Sequence, residues 1–231
     1  MSTIWFAGDP HGGTIFLRDA LKYCKRPDAI ILLGDNMFSE PIRSKLQADL
    51  GDVPPIWLIH GNHDTDSAAY FEQAFGPNNI HGRVVEVAGV RIAGLGGVFR
   101  GAIWMPPDPP KYHSYEQWHG LWSMAVPPRQ RTAPEAFVAG KARKHKSSIF
   151  LADIERLSGL RADVLVTHEA PSCHPNGFAV IDDLARRLGV KAVFHGHHHM
   201  NMNYREKLAG GVAFGVGARS ICDLAGNRIW F

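Results

Sequence analysis

The stretch Ala29-Ile30-Ile31-Leu32-Leu33-Gly34-Asp35-Asn36 decides the fold. Its apolar run is strand-sized, shows no polar alternation, and stops at a Gly-Asp-Asn turn, which is the pattern of a strand covered on both faces in a parallel sheet. The same grammar recurs along the chain. Trp5-Phe6-Ala7 leads into Asp9-Pro10-His11, and Leu58-Ile59 into His60-Gly61-Asn62-His63-Asp64. Val166-Thr167 leads into His168, and Phe194 into His195-Gly196-His197-His198-His199. Each strand delivers Asp, Asn or His at its carboxyl end, where open α/β sheets place their sites. Strands are expected at about residues 3–7, 29–33, 55–59, 84–87, 90–94, 163–167 and 191–195, and helices at about 14–24, 41–50, 66–75, 148–158 and 180–188. This alternation reads as βαβ units and a largely parallel sheet. Tyr204 to Leu208, Val212 to Val216 and Arg228 to Phe231, separated by glycine-rich turns, are expected as antiparallel strands that close the fold.

The chain has 231 residues and 45% hydrophobic composition, so one domain over residues 1–231 with a continuous core is expected, and disorder and collagen-like repeats are excluded. No apolar run approaches the roughly 20 residues of a membrane span, so no membrane partner is expected. The N-terminus enters an apolar strand without a basic leader, and Cys24, Cys173 and Cys222 form no C-x-x-C pair, so a cytoplasmic location is expected. A net charge of +3 is too mild to imply nucleic acid or anionic lipid. The 13 histidines stand out, because imidazole ligates metals and moves protons near neutral pH.

Residues 98–147 differ in composition and read as an insertion. They hold 7 of the 15 prolines, 3 of the 6 tryptophans, and 8 Lys or Arg against 3 Asp or Glu, a local +5. Long connections of this kind are lids, binding loops or solvated excursions. As a lid, the basic segment would draw anions and offer Trp104, Trp118 or Trp122 as a stacking face.

Taken singly, Asp or Asn after a strand is an ordinary turn residue. Together the blocks supply oxygen from Asp9, Asp35 and Asn62 and nitrogen from His11, His168, His197 and His199, with no thiolate. Such a mixed set suits manganese, iron, zinc or nickel. Seven ligands exceed one tetrahedral ion and fit two ions that share a carboxylate.

The ordered signature D-x-H, G-D, G-N-H-D, lone His and G-H-x-H, matched by Asp9/His11, Gly34-Asp35, Gly61-Asn62-His63-Asp64, His168 and Gly196-His197-His198-His199, resembles the calcineurin-like metallophosphoesterase superfamily. The resemblance implies a four-layer α/β/β/α sandwich of two mixed sheets carrying two metal ions, Mn2+ and/or Fe foremost, with Zn2+ or Ni2+ as alternatives. It implies that Asp9, His11 and His199 hold one ion, that Asn62, His168 and His197 hold the other, and that Asp35 bridges them. It makes His63 the residue that stabilises the transition state and protonates the leaving oxygen, with Asp64 holding its ring. Two cations about 3.5–4 Å apart can clamp phosphate oxygens and turn a bridging water into the attacking hydroxide. The expected activity is hydrolysis of phosphate mono- or diesters on a nucleotide or other small phosphorylated molecule.

Departures from the superfamily bear on substrate. Phosphoprotein phosphatases continue the second block as G-D-x-V-D-R-G, whereas this chain reads Gly34-Asp35-Asn36-Met37-Phe38-Ser39-Glu40, which weakens a phosphoprotein role. Asn36 and Arg100 are the candidate substrate contacts, while His60, His195 and His198 fall outside the signature and are expected to pack or support. The alternatives are a metal-dependent nuclease on single-stranded or end substrates and a non-catalytic scaffold of the same fold. A local +5 is a small nucleic-acid footprint, and an intact ligand set with His63 argues against a scaffold.

Overall fold

The computed structural model describes residues 3–125, 127, 140–204 and 211–230. Its strands are β1 (Ile4–Ala7), β2 (Ala29–Leu33), β3 (Ile56–Ile59), β4 (Val84–Val87), β5 (Val90–Leu95), β6 (Val164–Thr167), β7 (Ala192–His195), β8 (Met202–Asn203), β9 (Val212–Gly215), β10 (Ile221–Cys222) and β11 (Arg228–Trp230). Its α-helices are α1 (Ile15–Tyr23), α2 (Ile42–Leu50), α3 (Ala68–Ala74), α4 (Tyr115–Ala125), α5 (Lys141–Lys144), α6 (Leu151–Ser158) and α7 (Ala179–Leu188). Two mixed sheets form, ordered β11-β10-β1-β2-β3 and β4-β5-β6-β7-β9-β8. None of these helices is long and apolar enough to cross a membrane.

Alternation along each strand explains the layers. Ile4, Phe6, Ile31, Leu33 and Ile59 of the first sheet face Ile92, Val164, Val166, Phe194 and Phe214 of the second. At the centre of that seam Phe6 and Phe194 stack with ring centroids 3.9 Å apart. The intervening residues Trp5, Ala7, Ile30, Leu32, Ile56 and Leu58 pack outward against α1 and α2. On the far side Ala93, Leu95, Leu165, Val193 and Ala213 meet Ile154 and Leu157 of α6 and Ile181, Leu184 and Leu188 of α7. Both faces of every central strand are therefore covered, which is why β2 carries no polar alternation. The result is an α/β/β/α sandwich.

The C-terminal region departs from the expected meander. β9 runs parallel to β7 and antiparallel only to β8. β8 precedes Tyr204, and residues 205–208 of the strand expected there lie outside the described residues. β10, which pairs antiparallel with both β1 and β11, is two residues long, too short to leave a periodic signal.

The aromatic residues of the 98–147 segment also require a correction. Trp104 and Trp118, expected as stacking faces, are buried in the core between the second sheet and its helices, beside Phe99, Ile149 and Phe150. Trp118 stacks on Trp122 with centroids 5.5 Å apart and lies 4.4 Å from the ring of His145. The two ends of the segment are stitched by Val98 N–H to Ser147 O, 3.0 Å, and Ile149 N–H to Val98 O, 3.0 Å. Residues 126 and 128–139 of the segment lie outside the described residues. A deletion of residues 106–134, which as a lid would leave a folded protein, removes Trp118 from this core. Trp118→Ala alone is expected to cost about 3–5 kcal/mol. Denaturant unfolding monitored by circular dichroism checks it, and an unchanged midpoint would return the segment to the role of an excursion.

Candidate metal centre and active site

Loops at the carboxyl ends of β1, β2 and β3 carry Asp9, His11, Asp35 and Asn62, and those after β6 and β7 carry His168, His197 and His199. The site therefore straddles the seam between the two sheets. One ligand atom from each of Asp9, His11, Asp35 and His199 lies within 4.8 Å of the others, and the same holds for Asp35, His168 and His197. Asp35 belongs to both groups. Asn62 joins the second through Oδ1, 3.3 Å from His168 Nε2.

The donor chemistry fits cations. His168 Nδ1 lies 2.8 Å from Leu33 O, an arrangement in which the ring donates there and turns the Nε2 lone pair inward. That nitrogen lies 3.4 Å from Asp35 Oδ1, so three acceptors converge with no donor assigned among them. In the other group the Nε2 atoms of His11 and His199 face each other at 3.0 Å. Burial raises the Asp9 carboxyl to about 7, against the pull of His168. Burial opposes ionisation of His168 too, yet the Asp35 carboxylate beside it lifts His168 to about 10. Asp9 and Asp35 pair with histidines only among the described residues, never with lysine or arginine. A divalent ion in each group would replace the proton that these acceptors otherwise require.

Backbone strain accompanies the cluster. Among the described residues, Asp9, His11, Asp35, His197 and His199 all adopt positive φ, between 40° and 68°, a conformation non-glycine residues occupy at a cost of about 1 kcal/mol or more. The β1 and β2 loops are held in it by His11 N–H to Asp35 O, 2.9 Å, and Gly12 N–H to Asn36 O, 2.8 Å. The glycines of the motifs are packing requirements. A Cβ at Gly61 would lie 2.2 Å from Asp35 Oδ1 and 2.6 Å from His168 Nε2. At Gly34, where φ is 99°, it would lie 2.3 Å from His168 Nδ1.

The carboxylate that holds His63 is not Asp64. His63 Nδ1 meets Asp66 Oδ2 at 2.6 Å, across a 3-10 turn spanning His63–Thr65. Asp64 is fully buried and accepts Met37 N–H at 2.8 Å, Gly61 N–H at 2.8 Å and Asn36 Nδ2 at 3.0 Å. Burial raises its carboxyl to about 6 in spite of those donors. Asp64 thus ties the β2 loop to the β3 loop, and the turn directs its side chain inward while Asp66, three residues after His63, comes back to the ring. Nor does Asp64 cap the following helix: Ser67 Oγ accepts Tyr70 N–H at 3.1 Å at the start of α3. Asp66 was legible only as a helix-start residue, and nothing local in the sequence distinguishes the two acids.

Asn36, a candidate substrate contact, is buried, and its Nδ2 donates to Ile59 O and Asp64 Oδ2, both at 3.0 Å. Its amide braces Asp64. Arg100 commits Nη1 to Ser147 O at 2.7 Å and Ser148 Oγ at 3.1 Å, and Nη2 to Ser147 Oγ at 3.2 Å. Of the histidines outside the signature, His60 packs on Phe75 at 4.3 Å, His195 has Nδ1 2.9 Å from Gly196 O, and His198 stacks on His174 at 3.7 Å.

Residues 2–201 match the family described as calcineurin-like phosphoesterase. A Haemophilus influenzae relative, described as an uncharacterized protein, is 44% identical over 236 residues, which cover 98% of this chain and 96% of the relative. The fold is similar to TT1561 of Thermus thermophilus, with TM-score 0.56 and 16% identity over 98% of this chain and 96% of that one. It is also similar to phosphopantetheinyl hydrolase (PptH) from Mycobacterium tuberculosis, with TM-score 0.52 and 17% identity over 94% and 90% of the two chains. The family match spans all five motif blocks and the strands that present them, and the chain belongs to the calcineurin-like phosphoesterase family.

Proposed function

We propose that the chain is a metal-dependent hydrolase of phosphate mono- or diesters, acting on a nucleotide or other small phosphorylated molecule. The observation that supports this most is the convergence of seven oxygen and nitrogen donors in two groups that share Asp35. In this reading Asp9, His11 and His199 hold one ion, Asn62, His168 and His197 the other, and Asp35 both, with Mn2+ and/or Fe preferred and Zn2+ or Ni2+ accommodated. Bound there, the ions supply neutralisation of phosphoryl charge and a water acidic enough to attack phosphorus at neutral pH.

His63 lies on the open side of the cluster, its ring 5.9 Å from that of His11 and its side chain about half exposed at 47%. With Nδ1 engaged by Asp66, Nε2 is the atom that delivers a proton to the leaving oxygen, and Asp66 supports the charged ring. The nuclease alternative loses two of its three stacking candidates, because Trp104 and Trp118 are buried, and Trp122 has one face against Trp118.

The test is chelation followed by refilling. Turnover of p-nitrophenyl phosphate or bis-p-nitrophenyl phosphate should vanish when the metal is removed and return more fully with manganese than with magnesium, because imidazole-rich sites disfavour hard, oxygen-seeking ions. Full activity in protein shown to be metal-free would overturn the proposal. A panel of 2',3'-cyclic, 3',5'-cyclic and dinucleoside phosphates then ranks the substrate classes.

A further inference from the structure

We propose that Arg219 is a substrate-binding residue that grips anionic oxygen of the phosphorylated substrate at the His11 edge of the site. The inference rests on the phosphoesterase reading and adds a residue that none of the motifs contains.

Arg219 follows β9 in the loop that runs back along the β1 loop. Its N–H donates to Gly8 O at 2.8 Å, Gly8 N–H donates to Ser220 O at 3.1 Å, and Gly8 and Ala218 pair as a parallel bridge. Its Nε donates to the carbonyl of Pro10 at 3.3 Å, the residue between Asp9 and His11. The guanidinium also lies over Gly13, where an added Cβ would stand 3.0 Å from Nε and 3.4 Å from Cζ. The backbone at Arg219 adopts φ 55°, in the left-handed region.

These contacts occupy Nε alone. Among the described residues Arg219 forms no ion pair, and it is exposed beside the residue that precedes His11. A fixed cation beside a dication site is repelled by it, and the placement becomes favourable only when an anion lies between them. The four N–H bonds of Nη1 and Nη2 form a fork suited to phosphate or carboxylate oxygens. The matching anion is either the phosphoryl group under attack or a second acidic group on the same molecule. Arg100, the guanidinium expected near the site, has three of its N–H bonds committed to Ser147 and Ser148.

The experiment uses the full metal-loaded chain and measures binding of orthophosphate, ethyl phosphate and 2-phosphoglycolate by calorimetry, together with KM and kcat for p-nitrophenyl phosphate. Arg219→Ala should weaken binding about 10–100-fold, the loss associated with hydrogen bonds to a charged group. KM should rise more than kcat falls, metal content should stay intact, and Arg219→Lys should recover part of the affinity. Loss for all three anions assigns the grip to the phosphoryl group, and loss for 2-phosphoglycolate alone assigns it to a second acid. Affinities within twofold of the parent protein for every anion would overturn the proposal, as would loss of metal, which would make Arg219 a tie for the β1 loop. If Arg219→Ala does not fold, Arg219→Gln removes the charge and the fork while keeping a polar side chain, and its affinities decide by the same criteria. Calorimetry needs no turnover, so a parent protein that hydrolyses nothing defeats the phosphoesterase reading separately.

Discussion

Asp35→Ala is expected to lose metal and activity together, with kcat/KM lower by roughly 10³-fold or more once an ion that activates water and clamps the phosphoryl group is gone. Asp35 is the one residue common to both donor groups, so its removal withdraws charge from both. It also accepts the N–H of His63 at 2.8 Å, so the truncation leaves a donor in the β3 loop without its partner. Asp35→Asn keeps an acceptor oxygen for that N–H but no charge, and it should retain the fold while binding metal more weakly. Metal analysis after dialysis, paired with p-nitrophenyl phosphate turnover, distinguishes the variants. Asp35→Ala with two ions per chain would show that the carboxylate is not shared.

His63→Ala should instead keep its metal and lose turnover by about 10²–10⁴-fold, the range for a placed general acid. The loss should be greater for a poor leaving group than for p-nitrophenolate, which barely requires a proton. Asp66→Asn should reproduce a smaller part of the same leaving-group dependence, because it contacts only the far nitrogen of the ring. Asp64→Ala should behave differently, since it leaves Met37 N–H, Gly61 N–H and one of the two Asn36 Nδ2 N–H bonds, the other being held by Ile59 O, without a partner in a largely buried setting. At about 1–3 kcal/mol for each unsatisfied donor, its main effect is lost stability. A thermal melt and a leaving-group series on the same three variants separate the roles. If Asp64→Ala is as stable as the parent while Asp66→Asn is fully active, the assignment of the two acids must be reversed.

Some expectations could be read from local sequence because the physics behind them is local. The apolar run of β2 had to be buried on both faces, and the amphipathic stretches that became α1, α2, α6 and α7 had to cover the outer faces of the two sheets. The seven donor positions lie within a few residues of strand ends, so covalent connectivity alone carries them to one edge of the sheets. Gly34 and Gly61 were visible as turn residues, but that they are packed against the side chains of His168 and Asp35 required the structure.

By itself, then, the sequence determined the strand-end grammar, the α/β class and the positions of the candidate donors, since these depend on residue type and spacing within short segments. Tertiary structure alone decided which acid meets His63, because Asp64 and Asp66 are two residues apart and only the 3-10 turn directs one inward and the other back to the ring. It also decided that Trp104 and Trp118 belong to the core, because burial depends on whether distant elements cover a side chain. It brought Arg219 to the carbonyl of Pro10, a neighbour 209 residues away along the chain. No local pattern encodes such a pairing; it exists only once β1, β9 and β10 have closed the fold.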